Sequence, residues 1–428
     1  MNKLPYIIAL SAVLASTSIL ATTPSPQKHV VGYFENWAQY RPNGGKFFPN
    51  QINAKLFTDI FYAFTYFGFV DRSVDPSNPH LTGDYSIQHV EWNDQSTLYP
   101  QFQALKQQDP NLKTFYSIGG WGFNSPDDPM GYGQYTYTLF SKMASLEVNR
   151  QQFIHSAIDY AHQYGFDGID IDWEYPGDPA RGGTDADMEH YTILLKEFRE
   201  AINADAQQHN GQHLLLTIAV PAIPKGPSRY TSDPSQYFAW QAQNAPYVDW
   251  MNVMTYDYHG AFSAVTGVNA PMQGDSNQED ITHTVQNYLA GGVPAAKIVL
   301  GMPSYGHNFA GVNCTNAQDC PPGKTFTGAG AAGPSTGQPG LLAYYEIKHM
   351  IDSGQLIAGY DDNSQTPYAY SPTTTMWVSY DDPNSIAIKA QYVLSQNLGG
   401  AMVWAIDNDD FQNAYPLISQ IDKTLGIE

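Results

Sequence analysis

What most constrains this chain is the character of its apolar runs. Eight stretches, Val30–Phe34, Phe57–Phe67, Leu112–Ile118, Phe166–Trp173, Leu214–Val220, Val248–Tyr256, Ile298–Met302 and Ala401–Ile406, are rich in β-branched and aromatic residues. Most are continuously apolar rather than alternating, as parallel strands covered on both faces require. Between them lie stretches of helical period. Met188, Tyr191, Leu194, Leu195, Phe198, Ala201 and Ile202 make one stripe, and Ile154, Ala157, Ile158 and Ala161 another. Strand–helix alternation with about eight strands predicts an α/β fold of the (β/α)8 TIM-barrel type, with its site at the C-terminal strand ends. A doubly wound open sheet is the competing architecture. It lacks the Gly-rich phosphate loop that would follow its first strand. From Asn308 to Met376 the rhythm breaks into loop-rich sequence with one helix expected over Leu341–Ile351. That length between the seventh and eighth strands predicts an inserted small α+β domain, 308–376, in a barrel formed by 22–307 and 377–428.

Charge narrows the partners. Twenty basic residues stand against 41 acidic ones, a net charge of −21, which repels phosphate backbones and anionic lipids. Nucleic acid and membrane surfaces are therefore excluded as partners. Only 14% of residues are charged while another 14% are aromatic, a surface suited to a neutral, hydroxyl-rich ligand such as a sugar. Lys3, the apolar run Leu4–Leu20 and Ala21 before Thr22-Thr23-Pro24 read as a signal peptide over 1–21, so the chain is expected to be secreted, extracellular or periplasmic. In that oxidising setting Cys314 and Cys320 are expected to form one disulfide across a short loop, worth about 2 kcal/mol on the chain-entropy model. No second Cys or His pair at metal spacing accompanies them, so no metal is expected there.

The fourth run carries the chemistry. It reads Asp167-Gly168-Ile169-Asp170-Ile171-Asp172-Trp173-Glu174. Side chains alternate along a strand, so Asp170, Asp172 and Glu174 share one face and Ile169, Ile171 and Trp173 the other. The branched face suits packing under helices, which turns the carboxyls into the barrel and toward its mouth. Three confined carboxyls cannot all ionise cheaply, so at least one is expected to hold a proton near neutrality. That is the state a general acid needs, and Glu174, last in the row, is best placed to reach a substrate. A structural carboxylate network or a metal site would use the same residue types. The first is costly to bury and the second lacks partner ligands.

The run Asp167–Glu174 resembles the signature of glycoside hydrolase family 18, the chitinases. Ser117-Ile118-Gly119-Gly120, Met254-Thr255-Tyr256-Asp257 and Gly400–Ala405 resemble its third, sixth and eighth strands, and Gly32–Trp37 and Trp377–Asp382 match as well. The likeness extends from His29 to Phe411. It implies that Glu174 acts as acid and then base, that Asp172, backed by Asp170, holds and polarises the substrate's acetamido group, and that Tyr256 hydrogen-bonds the acetamido oxygen. It implies a retaining, substrate-assisted reaction on β-1,4 bonds of N-acetylglucosamine polymers, without cofactor or metal. It places Tyr33, Trp37, Trp121, Tyr175, Met254, Asp257, Tyr305 and Trp404 along the substrate, and cis peptides at Ala63-Phe64, Glu174-Tyr175 and Trp404-Ala405. The partners expected are chitin or its oligosaccharides, bound by a monomer. Trp92, Trp240 and Trp250 are read as core, and Ser117, Gly119 and Gly120 as structural. After Pro303-Ser304-Tyr305-Gly306 many members carry Arg where this chain has His307, a titratable ring. A non-catalytic lectin would lack Glu174. An endo-β-N-acetylglucosaminidase acting on glycoprotein glycans is the other rival, against which Trp173, the Met254–Asp257 match and the inserted wall argue.

Overall fold

The computed structural model describes residues 27–70, 74–75, 78–127, 132–209, 211–315 and 320–426. All eight apolar runs are strands: β1 His29–Glu35, β2 Asp59–Phe67, β3 Lys113–Gly119, β4 Gly168–Asp172, β5 Leu215–Pro221, β6 Trp250–Met254, β7 Ile298–Pro303 and, after the insertion, β14 Gly400–Trp404. They pair in parallel in the order β1-β14-β7-β6-β5-β4-β3-β2, and β2 pairs again with β1, closing a (β/α)8 barrel. Helices return the chain between strands, α1 Tyr99–Ala104, α2 Glu147–Tyr164, α3 Asp187–Gln208, α4 Pro234–Asn244, α5 Ile281–Gly291 and α7 Pro383–Ser395, and α8 Pro416–Leu425 follows the last strand. Both helical stripes read from the sequence are buried except Ala201, which is half-buried, so the periodicity marks the faces packed on the sheet.

The insertion is a second sheet of six strands, β8 Tyr305–Ala310, β9 Gly328–Ala329, β10 Leu341–Ala343, β11 Ile357–Asp361, β12 Thr366–Ser371 and β13 Met376–Ser379, with one helix, α6 Tyr344–Asp352. Its strands begin at Tyr305 and finish at Ser379, where the sequence reading placed 308 and 376. The helix also starts later than the sequence suggested. Leu341–Ala343 pairs with Tyr305–His307 as a strand, and the Glu346 carboxylate then accepts the Ala343 N–H at 2.9 Å, capping a helix that begins at Tyr344. A small core of Phe309, Val312, Cys320, Tyr368, Tyr370 and Trp377 belongs to the lobe alone, beside the Cys314–Cys320 disulfide. A fully buried Lys389–Asp381 pair ties the end of the lobe's last strand to barrel helix α7. Residues 1–21, read as a signal, lie outside the described residues, among which no helix is long and apolar enough to cross a membrane.

Candidate active site

The parallel register sets the carboxyl row. Asp170 lies level with Ser117 on β3 and Thr217 on β5, and Asp172 level with Gly119. The alternation read from the sequence holds: Ile169, Ile171 and Trp173 are buried on the outer side, where Trp173 stacks on Phe140 with ring centroids 5.1 Å apart. Asp170, fully buried, accepts hydroxyl hydrogens from Thr217 at 2.6 Å, Ser117 at 2.7 Å and Tyr33 at 2.8 Å. Burial raises its pKa and these donors restrain the rise. Ser117 is thus one of the three groups that hold Asp170.

One step nearer the mouth, Asp172 is buried, and its Oδ1 has no hydrogen-bond partner among the described residues. Burial, then the Glu174 charge, holds its carboxyl well above the usual range. Glu174 is 7% exposed, and burial pushes it up to about 7 against the opposing pull of Arg181. Two adjacent carboxyls, both raised, carry at least one proton between them near neutrality. Arg181, which sequence reasoning missed, donates to the Glu174 carbonyl at 2.5 Å, to the Trp121 carbonyl at 2.8 Å and to Ser125 Oγ at 2.9 Å. Its guanidinium lies 3.5 Å from the Trp121 ring centroid. Only its place in the loop after the carboxylate strand could have singled it out.

Around this row the strand ends supply aromatic rings. Trp404, Phe64 and Trp37 form a platform, with Phe64 stacked at 5.6 Å on Trp404 and at 6.0 Å on Trp37. Phe64 enters it through the Ala63-Phe64 peptide, which is cis, as are Glu174-Tyr175 and Trp404-Ala405. Trp37 and Trp121 expose their rings, and Tyr175 and Met254 are half-buried. Tyr33 instead is 2% exposed, and its hydroxyl is spent on Asp170 and the Asn252 amide, so it supports the row from below. Tyr256 is buried and contacts Met402 Sδ at 3.8 Å.

On the lobe side, Asp257 takes a left-handed backbone (φ 57°) and accepts hydrogen bonds from Tyr305 Oη at 2.5 Å and His307 Nε2 at 2.7 Å. The other His307 nitrogen faces the Gly340 carbonyl at 3.0 Å. Burial depresses the His307 pKa, but the Asp257 hydrogen bond and charge outweigh it and the net shift is upward. A ring with an acceptor at each nitrogen suits the imidazolium form.

Trp240 and Trp250 are core, as expected, but Trp92 is not: it is 66% exposed. Its neighbour Glu91 accepts a hydrogen bond from Tyr40 at 2.5 Å, and Tyr40 lies three residues after Trp37 on one short 3₁₀ turn. Val90, Glu91, Asn93 and Asp94 on either side of Trp92 are buried, so the chain turns this one ring outward from a packed segment. A cavity of about 710 Å³ lies elsewhere, between lobe and barrel, lined by Tyr345, Glu346, His349, Phe411 and Asn413 and by none of the site residues.

A closed barrel with a row of buried carboxyls at its mouth, flanked by exposed tryptophans, defines a carbohydrate-cleaving barrel enzyme. The model of glycosyl hydrolases family 18 matches residues 29–409, and the chain belongs to that family. Chitotriosidase-1 of Mus musculus is 34% identical over 410 residues, covering 93% of this chain and 78% of that protein. The structure of the Ostrinia furnacalis Group IV chitinase in complex with allosamidin superposes with a TM-score of 0.77 at 32% identity, over 94% of this chain and 99% of that one. Human YKL-39, described as a pseudo-chitinase with retained chitooligosaccharide binding, superposes with a TM-score of 0.76 at 30% identity, over 93% of this chain and all of that one.

Proposed function

We propose that this family 18 hydrolase is a secreted chitinase that cleaves β-1,4 bonds between N-acetylglucosamine units with retention of configuration. The observation that carries the reading is the pair Asp172–Glu174: a buried carboxylate oxygen without a hydrogen-bond partner among the described residues, beside a carboxyl raised to about 7. Protonated Glu174 donates to the glycosidic oxygen as the bond to C1 breaks. The acetamido carbonyl oxygen of the sugar at the scissile bond attacks C1 from the opposite face and forms an oxazolinium, with Tyr256 donating to that oxygen. The substrate thus stands in for the second carboxylate of ordinary retaining enzymes. Asp172 accepts the acetamido N–H, whose positive character grows as the ring closes, and Asp170 keeps Asp172 in line. Glu174, now ionised, takes a proton from water, which attacks C1 and reopens the ring. Trp404 and Phe64 floor this sugar, while Trp37 and Trp121 offer faces to its neighbours.

The test is product analysis by mass spectrometry with an N-acetylglucosamine hexamer, wild type beside Glu174→Gln. Dimers and trimers should appear with wild type, and Glu174→Gln should retain less than a hundredth of that rate while still binding the hexamer. Variant activity above a tenth of wild type would remove Glu174 from its role. A hexamer left intact by wild type, yet raising its Tm, would favour a chitooligosaccharide-binding protein of the YKL-39 kind.

A further inference from the structure

Far from the carboxyl row, on the outer ring of helices, α2 and α3 end side by side. His162 lies in the last turn of α2, Asp205 in the last turn of α3, and His209 caps α3. The Asp205 carboxylate stands between the two imidazoles, Oδ2 at 2.9 Å from His162 Nε2 and Oδ1 at 3.1 Å from His209 Nδ1. The rings stack on each other with centroids 4.2 Å apart and planes inclined by 23°. One donor atom from each residue can be chosen so that all three lie within 4.8 Å of one another. The Asp205 side chain is only 14% exposed, while both histidines reach solvent.

We infer that His162, Asp205 and His209 form a surface site for a first-row divalent transition cation, with Zn²⁺ the best match. Two independent features favour a cation. The carboxyl ends of both helices converge there, each carrying about half a negative charge. The donors are two imidazole nitrogens and one carboxylate oxygen, which suits Zn²⁺, Co²⁺, Ni²⁺ or Cu²⁺ and not the all-oxygen shells of Ca²⁺ and Mg²⁺. Ligands tetrahedral about zinc at 2.0–2.2 Å sit roughly 3.4 Å apart, so the site closes by side-chain rotation without moving either helix. Asp205 and His209 stand one helical turn apart, the spacing at which two side chains project to one ligand. Solvent fills the fourth position. A bound ion would pin the ends of two neighbouring outer helices, which makes it a stabilising site rather than a catalytic one.

The test is isothermal titration of zinc chloride into the purified, metal-stripped protein without a polyhistidine tag. Wild type should bind one equivalent reversibly to chelator, with Tm rising by about 3 °C at a hundredfold excess over Kd. His162→Asn and His209→Asn should each weaken binding at least tenfold and erase the Tm rise, while cleavage of the hexamer is unchanged. His259→Asn, which alters the other His–carboxylate cluster (His259, Asp275 and Glu279), should leave the titration as it is. Both exposed histidines can be replaced without disturbing the core. Equal binding by wild type and the two variants, or no binding by wild type, would overturn the site.

Discussion

Glu174 decides how activity depends on pH. Its carboxyl is raised to about 7 by burial, so the acid form is populated below that pH and lost above it. For hexamer cleavage, kcat/KM should fall about tenfold per pH unit on the alkaline side of pH 7. A profile flat to pH 9 would show that another group supplies the proton. Arg181 acts on the same group from behind, as a positioning residue: it holds the Glu174 carbonyl and lies over Trp121, and its charge lowers the Glu174 pKa. Arg181→Met keeps the buried stem but removes the charge, so the alkaline limb should move to higher pH while kcat drops. If Arg181 merely packed the loop, the limb would stay where wild type has it, and pH–rate profiles of the two proteins distinguish these cases. Of this site, the carboxyl row was legible because alternation along one strand orders it. Arg181 was not, since its role arises from a loop folding back over the strand end, and no local periodicity records that.

Strand ends and the turns after them place the remaining groups. Gly120, just past β3, has φ of +87°, and a Cβ there would lie 2.5–3.0 Å from the Phe64 ring. Phe64 links Trp404 to Trp37, so Gly120→Ala should push the platform out of line. The left-handed backbone and the overlap together are expected to cost about 2–4 kcal/mol, seen as a lowered Tm, with a raised KM for the hexamer. An unchanged KM would detach the platform from substrate binding. The eight barrel strands could be read from sequence because a parallel strand buried on both faces must be apolar throughout. The short elements of the lobe could not. β10 is three residues long and adjoins α6, and its state is decided by pairing with Tyr305–His307 across a gap in sequence. Trp92 misled for a related reason, since aromatic character at one position does not reveal which side faces water.

At the scale of the whole molecule the acidic composition and the buried carboxyls act together. Glu35, Asp170, Asp172, Glu174, Asp381 and Asp409 are all raised by burial, Glu174 and Asp409 to about 7. Asp409 reaches that value although the N–H groups of Asp410, Leu417 and Ile418, at the start of α8, donate to it. His307 is raised as well. In each case the folded chain binds protons that the unfolded chain has already released. Between about pH 4.5 and 7 the native state therefore carries more bound protons than the unfolded state, and the slope of unfolding free energy with pH is negative. A carboxyl moved from its ordinary value to about 7 contributes of order 3 kcal/mol to that loss once fully ionised. Repulsion among 21 surplus negative charges works in the same direction as the carboxyls ionise. Tm should accordingly be higher at pH 5 than at pH 8. Salt should narrow the difference only in part, because it screens surface repulsion and leaves buried carboxyls untouched. Thermal unfolding at both pH values, in low and in 0.5 M salt, measures the two contributions separately. A Tm that rises from pH 5 to 8 would mean that paired surface carboxylates, not the buried row, govern the acid side. With the predicted sign, the protonation that holds the barrel together at pH 5 is the same that arms Glu174, so activity and stability should decline together as the solution turns alkaline.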